Sequence, residues 1–200
     1  GSGIFSGFGE GKVRLTQDLQ VINNGILLSF TRGGFYWERR PISGTTSIRN
    51  IGNLFLVSSE NKTLTSGMTL INQGLCSVSD GTPLGGNLVL SNNTTFDNQG
   101  TLEINGADTD IIRALNNNTN ILLRNTGTIS KQGIPLDGLA TIDVPIENEG
   151  GTIEVKTGVL ELRNGGFIDD LRFNGSTVGE LRLTNFSFAV SGDIFSGNGL

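Results

Sequence analysis

The chain has 200 residues, 14 Lys and Arg against 19 Asp and Glu, and therefore a net charge of −5 with no histidine. Hydrophobic residues make up 36% and charged residues 16%, while glycine alone fills 30 positions. This balance disfavours a charge-rich disordered segment. It also lacks the cationic stripe that nucleic acid or an anionic membrane surface would require. The single cysteine, Cys76, excludes an intrachain disulfide.

The first element, Ile4-Phe5-Ser6-Gly7-Phe8-Gly9, returns near the other end as Ile194-Phe195-Ser196-Gly197-Asn198-Gly199, 190 residues later. Between them runs a shorter period. Val21-Ile22-Asn23-Asn24-Gly25 is the first example of an apolar residue followed by Asn-x-Gly, and it leads into Ile26 to Leu28. Phe35-Tyr36-Trp37-Glu38-Arg39-Arg40-Pro41 then holds the only Tyr and Trp. Tyr36, Trp37, Arg39 and Arg40 are the best candidates for a surface site. Such a cluster can stack on sugar rings or anchor a protein partner.

The Asn-x-Gly frame comes back at Asn50, Asn72, Asn98, Asn125 and Asn148, each followed by alternating apolar residues. The spacings from Asn23 onward are 27, 22, 26, 27 and 23, a mean of 25 residues. Antiparallel hairpins would give turns without this longer period. A mean of 25 suits one coil of three short strands. Alternation points every second side chain inward, as in Leu102 and Ile104 around Glu103, or Ile153 and Val155 around Glu154. One coil cannot bury its own inner face; stacked coils can. The six asparagines would then lie over one another as a ladder of side-chain amides, with glycine supplying an unusual turn angle. Asp108 to Leu115 is the one stretch that suggests a helical turn. Cys76 sits in an alternating stretch and reads as a packed core residue.

From Ile142 the chain resembles a repeat of large secreted bacterial surface proteins. The matching residues are Val144-Pro145-Ile146-Glu147-Asn148-Glu149-Gly150-Gly151-Thr152-Ile153-Glu154-Val155, then Gly158-Val159-Leu160-Glu161-Leu162 and Gly165-Gly166, with one extra glycine interrupting the pattern. The resemblance implies the right-handed parallel β-helix of adhesin-like and autotransporter-like passengers, and it brings no catalytic residues. The expected architecture is all-β: a right-handed parallel β-helix, or β-solenoid, of about seven to eight coils. It forms a single domain over 1–200, one unit of about 190 residues or a fragment of a longer repetitive protein.

Enzymatic chemistry has little to stand on. Asp108-Thr109-Asp110 and Asp169-Asp170 match the carboxylate elements of polygalacturonase-like β-helices only in part, and the histidine element is missing. Two carboxylates at 108 and 110 fall short of the six to eight oxygens that calcium takes. The expectation is therefore a non-enzymatic rod or stalk, extracellular or on a cell surface, with no cofactor and no metal. Its expected partners are neighbouring repeats or subunits end to end, and glycans or another surface protein. Nucleic acid is not expected, nor is membrane insertion of this fragment. The alternatives are a carbohydrate-binding or polysaccharide-cleaving β-helix, and a filament subunit that assembles end to end.

Overall fold

A computed structural model describes residues 3–78, 86–105, 111–115, 120–133, 138–176, 178–185 and 187–192. Among the described residues, twenty-five strands, β1 to β25 in chain order, form three parallel sheets. Sheet A takes nine strands: β1 (Gly3–Gly7), β4 (Ile26–Phe30), β7 (Ser47–Asn50), β10 (Thr69–Asn72), β13 (Thr95–Asn98), β16 (Leu122–Asn125), β19 (Ile146–Glu149), β22 (Gly166–Asp169) and β25 (Phe188–Ser191). Sheet B takes every second strand of the triplet, from β2 (Lys12–Leu15) and β5 (Gly34–Trp37) to β20 (Thr152–Val155) and β23 (Arg172–Gly175). Sheet C takes the third, from β3 (Leu19–Val21) to β24 (Gly179–Leu183). Strand n pairs with strand n+3 throughout. That order is a parallel β-solenoid of about eight coils.

The register fixes the coil length. In sheet A one column runs from Gly3 through Ile26, Ile48, Leu70, Phe96, Leu123, Ile146 and Gly166 to Phe188, in steps of 20 to 27 residues. Strands keep pairing while turns absorb the differences in length. Each strand turns alternate residues inward, so β14 (Thr101–Ile104) buries Leu102 and Ile104 and leaves Glu103 outside. Inward columns from all three sheets merge into one apolar core. In sheet B one such column passes from Phe35 through Leu54, Cys76, Leu102 and Ile129 to Ile153. Burial pushes the Cys76 thiol far above its ordinary pKa, so it sits in the core as an inert, small apolar group.

The asparagine column is the polar seam of this core. Asn50 Nδ2 donates to Asn72 Oδ1 at 2.8 Å, Asn72 to Asn98 at 2.8 Å, Asn98 to Asn125 at 2.7 Å and Asn125 to Asn148 at 2.7 Å. All five side chains are fully buried. Their amides also donate to backbone carbonyls, such as Asn72 to Thr101 O and Asn98 to Thr128 O. Asn23 does not belong to the ladder. It lies exposed in the turn before β4 with φ 60°. The residue paired with Asn50 in that coil is Leu28. An αL turn is a common place for asparagine, and the same three-letter pattern there has a different cause.

The ladder glycines also differ from expectation. Gly74, Gly100 and Gly127 have no left-handed φ. A Cβ on any of them would overlap the backbone carbonyl of the glycine one coil below. Close approach between coils, rather than an unusual angle, excludes other residues there. The extra glycine at 150 does take φ +68°, and Gly151 then fills the crowded position beside Asn125.

Among the described residues there is no helix. Residues 112–114 form β15 (Ile112–Ala114), with Ile112 inward between Leu88 and Ile142. Pairing with strands on both sides outweighs the local helical pattern. Asp108 and Asp110, and the second Ile-Phe-Ser-Gly element at 194–199, lie outside the described residues.

Two lysines stand at core-facing positions. Lys62 is fully buried, its Nζ donating to Ser58 O at 2.6 Å. Lys131 follows Ile104 and precedes Val155 in one inward column, is fully buried, and donates to Gln132 O at 3.3 Å. Desolvation lowers the Lys131 pKa. A base with a depressed folded pKa destabilises the fold at pH below that value, where its ammonium is buried. The penalty fades as pH rises towards the unfolded value of about 10.4. Lys131→Met is therefore expected to raise the melting temperature by a few degrees at neutral pH. The gain should shrink towards about pH 10. A gain that stays constant across the series would show that the charge is not its source.

Candidate functional surface

The aromatic cluster is not a surface. Strand β5 alternates, so Phe35 and Trp37 point into the core at 2% and 1% exposure. The Trp37 indole N–H donates to Arg40 O at 2.8 Å, which satisfies its one polar group inside. Only Tyr36 faces out. It stacks on Phe55 with centroids 4.8 Å apart and planes 25° apart, and Lys12 Nζ lies 5.1 Å from its ring centroid. The Tyr36 ring thus has both an aromatic and a cationic neighbour within the chain. Arg39 and Arg40 are exposed in the turn after β5, and Arg40 has φ 75°. Arg14 pairs with Glu38 at 2.9 Å. The proposed quartet is split between core, sheet face and turn, and Trp37 is corrected from site residue to core residue. Its truncation would act through packing.

Of the acidic candidates, Asp169 and Asp170 lie among the described residues. Asp169 accepts a hydrogen bond from Ser191 Oγ across adjacent strands of sheet A. Glu161 accepts from Arg163 and from Thr184, and Glu154 accepts from Ser130 and Asn174. These carboxylates tie neighbouring coils together along the outer faces. No group of three or more acidic or cysteine side chains able to hold a metal occurs among the described residues.

One hollow of about 370 Å³ opens where sheet A reaches its ninth strand and sheets B and C have eight. Its walls are mainly apolar, from Ile168, Leu171, Phe173, Leu181, Leu183 and Val190. It is an end surface of the stack, with Glu180 as the one charged side chain lining it.

A feature that sequence reading missed is the outward column of sheet A. In the N-terminal half it carries Ile4, Leu27, Arg49 and Ile71 in adjacent strands. In the C-terminal half it carries Glu147, Phe167 and Ala189. Spacing alone does not reveal it, because only the register shows which outward residues are neighbours.

Fold and surface together define the class: a parallel β-solenoid whose polar side chains chiefly bridge its own coils. No protein-family model matches the chain, and no curated protein and no solved structure matches it. No helix among the described residues is long and apolar enough to cross a membrane.

Proposed function

We propose that the chain is a structural rod segment of an extracellular or cell-surface, adhesin-like bacterial protein. The observation that carries this reading is the unbroken stack. Inward columns run through all three sheets, and a buried amide ladder locks five consecutive coils. Each coil is held by its two neighbours through backbone pairing and side-chain bridges, which makes a stiff, extensible spacer without a disulfide. The repeat resembled by residues 142–166 supports the surface setting. In this reading the load passes along the stack axis, from one unit to the next.

Antibodies against the folded chain test the location. They are expected to label intact source cells or their secreted fraction. Labelling seen only after permeabilisation would remove the surface reading while leaving the rod architecture in place.

A further inference from the structure

Charge is segregated along this chain. Residues 1–50 hold six Lys or Arg and three Asp or Glu; residues 51–200 hold eight and sixteen. In a solenoid, order in sequence is order along the axis, so the net charge of −5 conceals a rod with a basic end. Sheet A concentrates the contrast on one face. Its N-terminal half shows exposed Ile4 and Arg49, with Leu27 between them and Ile71 beyond. At the adjoining A–B corner, Phe8 is 87% and Ile51 46% exposed, and exposed Arg32 lies in the coil between them. The C-terminal half of the same face shows Glu147, which already bridges Arg124 of the adjacent strand at 3.0 Å, and Phe167, and its corner shows Glu149 and Asp169.

We propose that the outer face of sheet A is an interface with a second copy of this chain, packed antiparallel about a two-fold axis. The axis crosses the outward column at Asp97, the fifth of its nine residues, where the two Asp97 side chains meet and Arg124 of each copy, one strand away, faces Ile71 of the other. It sets Leu27 and Arg49 of each copy against Phe167 and Glu147 of the other, so apolar patches meet and unlike charges face each other twice. A parallel arrangement would place Arg49 against Arg49 and Glu147 against Glu147. A flat anionic bilayer would attract one half of the face and repel the other. The antiparallel pair alone uses both halves, and its contacts are self-complementary and closed. Nine strands spaced about 4.8 Å apart, each about four residues long, bury roughly 1,000 Å² in total. That is the lower end of specific interfaces and fits a dimer sensitive to salt. The pairing goes beyond the rod reading and does not depend on where the rod is anchored.

Sedimentation of the full chain over a concentration series tests it. A dimer is expected at about 0.02 M salt, weakening at least tenfold at about 0.5 M. Arg32→Glu/Arg49→Glu and Glu147→Arg/Glu149→Arg are each expected to be monomeric alone and to form a heterodimer when mixed. These positions are exposed or half-exposed, and melting curves check that both variants fold. If either variant melts early, the salt dependence of the unmodified chain decides the matter by itself. Four results overturn the proposal: a monomer at every salt concentration, assemblies that grow beyond two copies, charge-reversed variants that still dimerise alone, or a monomer that instead binds vesicles of anionic lipid.

Discussion

Leu102→Asp is expected to abolish the single cooperative melting transition. Leu102 is fully buried between Cys76 and Ile129 in sheet B. Its loss removes about 1.5–3 kcal/mol of apolar burial. The new carboxylate adds several kcal/mol more, because an unpaired buried charge must be neutralised or hydrated. The sum approaches the whole stability of an ordinary domain, about 5–15 kcal/mol. Coils share one core and each pairs with two others, so the damage spreads past the altered coil. Glu103→Ala, one residue away but outward, is expected to shift stability by no more than about 0.5 kcal/mol. Thermal melts followed by circular dichroism separate the two. A Leu102→Asp chain that melts like the unmodified one would falsify the inward register of sheet B.

Asn98→Ala carries the second large effect, about 2–4 kcal/mol. Asn98 accepts from Asn72 and donates to Asn125 and to Thr128 O. Removing it leaves a buried Asn125 Oδ1 without its ladder donor and a Thr128 carbonyl short of one bond. Asn72 Nδ2 keeps Thr101 O, so one of the neighbours is partly compensated. Asn50 stands at the end of the ladder beside Leu28, with one amide neighbour instead of two. Asn50→Ala is therefore expected to cost less than Asn98→Ala. Urea titrations should show a lower midpoint with an unchanged slope for both. Equal losses at positions 50 and 98 would mean that the amides act singly rather than as a chain.

Much of the fold is legible in the sequence because two signals agree. Alternation around Glu103 and Glu154 marks the inward faces, and Asn-x-Gly recurs once per coil. Asn23 shows how the second signal fails: a turn and a ladder can use the same letters for different physical reasons. Taking it as the first rung also lengthened the apparent coil, since Leu28 to Asn50 is 22 residues where Asn23 to Asn50 is 27. Trp37 was legible in principle. The alternation that buries Leu102 also buries Phe35 and Trp37 and leaves Tyr36 outside, but a cluster of aromatic and basic letters attracts a binding explanation first. Ile112 was harder, because a three-residue strand is too short to show a period of two. Lys131 contradicts the binary pattern outright. Only its register with Ile104 and Val155 shows that it faces the core.

The repeating corner also sets how such a molecule can change size. Excising residues 73–98 would splice Asn72 directly onto Gln99, dropping one full turn and leaving the Asn72 amide N–H where it could donate to Asn125 Oδ1. The reach of the molecule is thus adjustable only in increments of about 4.8 Å. Any graft that arrives without its own amide must take the place of Leu28 or Ile168, the two greasy stoppers that close the seam at either end.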